Sequence, residues 1–406
     1  MKILMVFHTL TYPPEAGVTK RTYHLLEEMV RRHQVTVLSL GTPDEEARIK
    51  RQIGDRCREV VFVNGRVPRW VNLLKRIKLA LAGQSLLRHS HSPRLQRAFD
   101  DLFQRERFDL VILSSPLLTY YRRPAGIPCI TDTHNVEYDM WHRFYVQARG
   151  VVARAYYWYQ YRLMRRDELQ ACSGGDALLA TSERDMGVFK KDLPAQSIHV
   201  VPNGVDLEYF APPPVEPDPK SMVFCGLMNY SPNDEGMTFF LDRVLPLIHR
   251  EVPEATLTIV GSGVSRALQR RATDRVIVTG YVPDVRPYVA RGQVYVIPLL
   301  VGGGTRLKAL EAMAMRKPIV TTSVGCEGID LVQGESALFA DPPEELAQAV
   351  IRLFREPELR ARLAERAAAL AADKYGWSSI GDKLDLICHA VVAGRRPVAP
   401  GEPPGP

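Results

Sequence analysis

The stretch VGGGTRLKALEAMAMRKPIVTTSVG, residues 301–325, decides how this chain is read. It follows an apolar run, VYVIPL (294–299), with the character of a buried strand, and it contains a second, PIVTTS (318–323). Between them Leu307, Leu310, Met313 and Met315 mark the apolar side of a helix. Gly302, Gly303 and Gly304 therefore stand at a strand-to-helix turn, where a backbone without Cβ lets a ligand approach closely. The start of the helix offers unpaired N–H groups and about half a positive charge. Arg306 and Lys308 add two full cations where acids are the usual residents. A site built this way attracts phosphate, with a guanidinium able to grip it through two parallel bonds. Glu311, one to two turns further in, offers a carboxylate to sugar hydroxyls. The turn is neither a P-loop nor a G-x-G-x-x-G fingerprint, and the bland alternative is an ordinary βαβ crossover with a glycine turn.

Working outward, the first half alternates apolar runs with helical patterns. The runs are ILMVFHTL (3–10), VTVLSL (35–40), VVFV (60–63), LVILSS (110–115), CITDTH (129–134) and ALLATS (177–182). Their near-continuous apolarity suits parallel strands covered on both faces. Helical patterns fall at 18–32, 94–106 and 142–170. The segment APPPVEPDPKS (211–221) is too rich in proline to continue a helix or central strand and reads as a linker. The strand pattern restarts with MVFCG (222–226), TLTIVG (256–261) and VIVTG (276–280). Two βα arrays joined by a linker imply two doubly wound α/β domains, with ligands at the carboxyl ends of their strands. Residues 344–373 read as two amphipathic helices, and 376–392 as a last helix with Ser378 or Ser379 as N-cap. The tail from 393 to 406 reads as disordered.

A length of 406 residues accommodates two domains, and 46% hydrophobic with 24% charged residues is the balance of a soluble globular protein. Nothing approaches 18 consecutive apolar residues, and MKILMVFHTL reads as a first strand rather than a signal peptide. The six cysteines have no C-x-x-C or Cys/His ligand spacing, which predicts a reducing, cytoplasmic setting without structural zinc. Net charge is +7, unevenly placed: residues 1–205 hold 31 Lys and Arg against 21 Asp and Glu, the remainder 22 against 25. Such an excess in one half suggests an anionic partner there, either membrane phospholipid or a phosphorylated acceptor. No nucleic-acid-binding motif accompanies it.

The segment GGTRLKALEAMA resembles the donor-site helix of the retaining glycosyltransferases of family 4, which have the GT-B fold of two Rossmann-like domains facing a cleft. PPEAGVTKRTYHLLEEM (13–29), VVPNGVDLEYF (200–210), VFCGLMNYSPN (223–233), IVGSG (259–263) and TGYVPDV (279–285) resemble that family's other segments in the same order. Within the family the chain is most similar to the sugar transferases of bacterial exopolysaccharide clusters. The resemblance implies an N-terminal acceptor domain over 1–205, completed by a crossover helix at about 378–392, and a donor domain over 206–377. It also implies a nucleoside-diphosphate sugar as donor, a saccharide or lipid-linked acceptor, and front-face transfer assisted by the leaving phosphate. There are two departures. The first glutamate of the family's usual pair falls on Gly303, and the Arg and Lys that many members carry after strand 222–226 are replaced by Leu227, Met228 and Glu235. Arg306 and Lys308 are the nearest cations left to meet the phosphates.

Other candidates have two readings each. Gly17 brings backbone close to the donor diphosphate, or is a plain turn glycine. His134, past a strand end, hydrogen-bonds the sugar or is structural, and Asp132 and Glu137 are weaker candidates beside it. Tyr281 covers the nucleotide base, with the backbone of Gly280 and Val282 reading its edge, or packs in the core. Thr305 and Leu307 complete the donor set. Without a D-x-D triplet, helix dipole and cations take over charge neutralisation, so no metal or cofactor is required. The stretches WVNLLKRIKLALAG (70–83) and ARAYYWYQYRLMRR (153–166) mix apolar and basic residues. They lie on an anionic membrane surface or pack as amphipathic helices. Rival functions are a GT-B nucleotide-sugar epimerase and a non-catalytic sugar-nucleotide-binding subunit.

Overall fold

The structure is a computed structural model that describes residues 1–14, 17–65, 83–85, 92–302 and 304–395. Gly303, residues 70–82 of the first basic stretch and 396–406 of the tail lie outside them. The chain divides into two compact units, one formed by Met1–Pro202 and the chain from Ile380 onward, the other by Asn203–Ser379. Among the described residues no helix is long and apolar enough to cross a membrane.

The first unit holds strands β1 (Lys2–Phe7), β2 (Gln34–Leu40), β3 (Glu59–Val63), β4 (Leu110–Leu113), β5 (Cys129–Asp132), β6 (Ala177–Ala180) and β7 (Ile198–Val200), in the order β3-β2-β1-β4-β5-β6-β7. The second holds β8 (Ser221–Cys225), β9 (Thr256–Val260), β10 (Val276–Gly280), β11 (Val294–Ile297), β12 (Ile319–Thr321) and β13 (Leu338–Phe339), in the order β10-β9-β8-β11-β12-β13. Every pairing in both sheets is parallel. The packing follows from the period of two along a strand. In β8, Met222 and Phe224 join one apolar layer with Phe240, Ile259 and Leu353, while Val223 joins the opposite layer with Leu310, Met313 and Ile319. Val294 and Val296 of β11 repeat the first choice, Tyr295 and Ile297 the second. Both faces are therefore buried, as the continuous apolar runs require. Each sheet reverses its direction of growth once, between β1 and β4 and between β8 and β11, and ligands of doubly wound sheets bind at the carboxyl ends beside such a point.

Three expectations change. The helical pattern 142–170 is two helices, Glu137–Gln147 and Val151–Cys172. Gly150 between them has φ +90°, a value no helix continues through. The first of the pair is capped from the second, because the Glu168 carboxylate accepts from the N–H groups of Glu137 (3.0 Å) and Tyr138 (2.8 Å). The last helix runs Trp377–Arg395, so Ser378 and Ser379 lie inside it rather than at its N-cap, and residues 393–395 are helical rather than tail. β7 and β13, of three and two residues, sit at the sheet edges and are too short to print a periodicity.

Candidate active site

In the second unit the carboxyl ends of three adjacent strands are made of bare backbone. Gly226 follows β8, Gly261 follows β9 and Gly280 ends β10. The N–H of Gly226 donates to Val260 (2.9 Å), and that of Gly261 to Gly280 (3.1 Å). Gly261 has φ +147°, and a Cβ there would lie 1.8 Å from the Gly226 carbonyl oxygen. At this crossing only glycine fits. Tyr281, directly after Gly280, is 75% exposed, which rules out the core reading for its ring. Val282 packs partly into the layer behind.

After β11 the chain turns through Gly302 (φ +140°) and Gly304 (φ +72°), passes Thr305, and enters the helix Leu307–Ala314 with Arg306 at its N-cap. Leu310 and Met313 bury that helix against β11 and β12, and Leu307 packs partly into the same layer, which fixes its start beside the strand ends. The two cations then part company. Arg306 is only 6% exposed: its Nε donates to the Val324 carbonyl at 3.4 Å, and a Cβ on Gly302 would lie 2.7 Å from its guanidinium. It is folded beneath the glycine turn. Lys308 reaches in the other direction, to the end of β8. Its ammonium donates to Asn233 Oδ1 at 2.6 Å, stands 4.2 Å over the Phe224 ring, and would be 2.8 Å from a Cβ on Gly226. Asn233 in turn donates to the Leu227 carbonyl at 2.7 Å. The strand end that lacks a basic pair in the sequence thus receives a cation from the helix after β11. Burial, with the nearby Arg306 charge, lowers the Lys308 pKa to about 7, against the opposing pull of Cys225 and Glu311. Glu311 lies on the same helix, near enough to act electrostatically on Lys308 and on the buried Tyr295.

The first unit presents side chains instead. Asp132 ends β5 and is held in a bidentate pair by Arg21, with Nη2 at 2.6 Å from Oδ1 and Nε at 2.9 Å from Oδ2. Arg21, from the helix Gly17–Arg32 that Gly17 begins, also donates to the Pro202 carbonyl at 3.0 Å. Asp132 is therefore an anchor for the chain's passage out of this unit, and no longer a candidate for chemistry. His134 follows two residues later. Burial first, then the Arg21 charge, lowers its pKa, opposed by Asp132 and by a hydrogen bond to the Ser114 backbone. Its Nδ1 is buried and has no hydrogen-bond partner among the described residues. A neutral ring bonded to Ser114 through Nε2 leaves Nδ1 as an acceptor awaiting a donor. Glu137 is half-buried, and desolvation raises its pKa; beside it lies Glu168, whose own pKa burial and the Glu137 charge push up to about 8. Gly226, Gly261, Asn233 and Arg21 carry no individual signal in the sequence; the small residues that follow β8 and β9 are the nearest to one.

Two parallel doubly wound units, one with glycine strand ends and cations at its switch point, define a nucleotide-binding architecture. The comparisons fit it. Residues 16–209 match the family described as Glycosyltransferase Family 4, and residues 219–356 the family described as Glycosyl transferases group 1. An alpha-D-kanosaminyltransferase of Streptomyces kanamyceticus is 31% identical over 168 residues, 39% of this chain and 43% of that enzyme, so the chain matches less than half of its length. An uncharacterized 44.6 kDa protein in the cps region of Klebsiella pneumoniae is 21% identical over 92% of this chain and 96% of its own. Anabaena HepE, solved in complex with UDP, has a TM-score of 0.69 at 14% identity, covering 96% of this chain and all of that one. The chain belongs to the family 4, group 1 glycosyltransferases, and is a glycosyltransferase with the GT-B fold.

Proposed function

We propose that this enzyme transfers a sugar, with retention of configuration, from a nucleoside diphosphate to a saccharide or lipid-linked acceptor in exopolysaccharide or cell-surface glycan synthesis. The second unit takes the donor and the first the acceptor. The observation that carries the reading is the Lys308 ammonium set among the glycine strand ends, beside a helix N-terminus. As the glycosidic bond to the diphosphate breaks, negative charge grows on the leaving oxygens. A fixed ammonium and aligned N–H groups stabilise that charge without reorganising. Glu311 binds the ribose hydroxyls, Tyr281 covers the base, and Gly302, Gly304 and Thr305 present backbone to the phosphates. In the first unit, His134 Nδ1 accepts from a sugar hydroxyl. The leaving phosphate itself takes the acceptor's proton on the face it vacates, so no carboxylate nucleophile is needed. Charge neutralisation without a metal predicts full activity in excess EDTA; complete loss that Mg²⁺ restores would overturn that part.

The test of the whole is a thermal-shift panel of nucleoside diphosphates, followed by nuclear magnetic resonance of the transfer product. One base should raise the melting temperature, since only a ligand of the folded state does so, and the product should keep the donor's anomeric configuration. An inverted product sinks the front-face mechanism. A new sugar formed without any acceptor identifies an epimerase instead.

A membrane-surface role for the first unit is supported by its helical pair. Val151 and Val152, at the start of the second helix, are 85% exposed, and Tyr156 and Trp158 are also exposed. Arg154 stacks on Tyr145 and Arg162 on Trp158. Apolar residues interleaved with arginines suit an anionic interface. Co-sedimentation with anionic vesicles should occur and fall steeply with salt; equal pelleting with neutral vesicles counts against it.

A further inference from the structure

The last helix of the chain meets the end of the first helix in a cluster of metal-ligating groups that the transfer reaction does not use. His33 follows the helix Gly17–Arg32, and Asp385 and His389 stand one turn apart on Trp377–Arg395. The i, i+4 spacing puts both on one face of that helix. His33 Nε2 lies 2.6 Å from Asp385 Oδ1, and His389 Nε2 lies 3.5 Å from the same oxygen. One ligand atom from each residue falls within 4.8 Å of the other two. We propose that His33, Asp385 and His389 form a binding site for a divalent transition metal, zinc foremost, which ties the last helix to the first.

The donor set supports this. Two imidazole nitrogens and one carboxylate oxygen are ligands that zinc and its borderline neighbours prefer, and three protein ligands leave a fourth position for water. Bonds of about 2.0–2.2 Å in a tetrahedral site put ligand atoms roughly 3.3 Å apart. The Asp385–His389 distance, 3.5 Å, is already close to that value, and the 2.6 Å contact from His33 is a hydrogen bond that opens when the metal replaces the shared proton. The ring proton then moves to His33 Nδ1, and the Met1 amino group, 3.5 Å away and able only to donate, has to give up its contact with that nitrogen. The Arg32 guanidinium, next to His33 in sequence, is engaged elsewhere: it bonds Glu28 and Asp382, each at 2.6 Å. The site also has a rigid side and an adjustable side. The His33 side chain is buried, while His389 is mostly exposed and free to swing onto the metal. Around it the two helices are tightly apposed, since a Cβ on Gly381 would lie 2.7 Å from Glu28 Cβ. The cysteine spacing holds no trace of this site, because no cysteine takes part and its ligands are about 350 residues apart in the chain.

The experiment titrates ZnCl₂ into the tag-free, full-length protein, following heat and melting temperature. One zinc per chain should bind, raise the melting temperature, and be released by EDTA. His389→Ala is the deciding variant, since it leaves the His33–Asp385 hydrogen bond in place and removes only an exposed ring. It should keep the metal-free melting temperature and nucleotide binding while losing at least about tenfold in zinc affinity. Asp385→Asn should lose as much. Co²⁺ in place of Zn²⁺ should give a visible ligand-field band that His389→Ala lacks. Zinc binding equal in the wild type and His389→Ala, or none in the wild type, overturns the site. Neither result bears on the transfer reaction, whose nucleotide panel is read separately.

Discussion

The two sheets grow in the same order from the same kind of switch point, yet they furnish their carboxyl ends by opposite means. At the end of β5 the first unit fixes a buried ion pair, Arg21 with Asp132, and sets His134 beside it, its Nδ1 without a hydrogen-bond partner among the described residues. At the ends of β8, β9 and β10 the second unit has glycine, and the ammonium set among them arrives from the helix after β11. Side chains recognise a shape that varies, as hydroxyl patterns on a saccharide do. Bare N–H groups and one cation recognise a constant shape, a diphosphate, whatever base or sugar is attached. On the function proposed above, the same topology serves a variable ligand with side chains and an invariant one with backbone.

Six substitutions test that contrast. The largest effect belongs to Asp132→Ala, which takes the carboxylate away from the buried Arg21 guanidinium and should destabilise the protein by about 3–5 kcal/mol, read by urea denaturation. Nucleoside diphosphate affinity of the folded protein should not change; a parallel loss would erase the distinction between the units. Gly261→Ala comes next. Its Cβ would fall 1.8 Å from a backbone oxygen at φ +147°, so about 3 kcal/mol should be lost. Gly126→Ala, with φ +87° and nothing within 4 Å, should lose only about 1 kcal/mol. Equal losses at the two glycines would mean that the strand ends of the second unit are not closely approached.

Lys308→Ala should weaken a nucleoside diphosphate by about 1.5–3 kcal/mol and leave the bare nucleoside unaffected. Arg306→Ala should do less to affinity, contrary to what guanidinium chemistry alone suggests, because its head is folded under the turn. The pH dependence has a definite sign. With a pKa of about 7 in the free enzyme and a higher one beside a diphosphate, Lys308 binds best when charged. Affinity should be flat below pH 7 and fall up to tenfold per unit above it, with proton uptake in calorimetry. Lys308→Ala should abolish that slope; a slope that survives belongs to another group. The smallest effect is His134→Ala, with a loss of about 1 kcal/mol, or roughly fivefold in kcat/KM for the sugar substrates, and no change in nucleotide affinity.

Most of the fold was legible because parallel strands buried on both faces must be continuously apolar, and eleven such runs stand in the sequence. The break at Gly150 was not, since a glycine in a helical pattern is often tolerated and the cap that follows from Glu168 comes from 31 residues away. Of the site, the glycine turn and its cations were legible as residue types. Their directions were not: Lys308 finds Asn233 across 75 residues, and Arg21 finds Asp132 across 111. Sequence spacing gives neighbours along an element, whereas these pairs are set by which strands lie side by side. The absent basic pair after β8 was visible as a vacancy in the pattern, and only the fold shows what fills it.

Lys308 also has a consequence for anyone who engineers this enzyme. A lysine whose folded pKa lies near 7, against 10.5 for the unfolded side chain, weakens the free protein. The penalty is nil above about pH 10.5, grows as pH falls, and is complete below about 7, where it amounts to a few kcal/mol. Lys308→Met should therefore raise the melting temperature at neutral pH. A library selected for heat resistance without substrate will enrich that change and harvest robust proteins that no longer hold their donor. Adding a nucleoside diphosphate to the selection reverses the ranking, because the ligand then stabilises only those members that kept the charge.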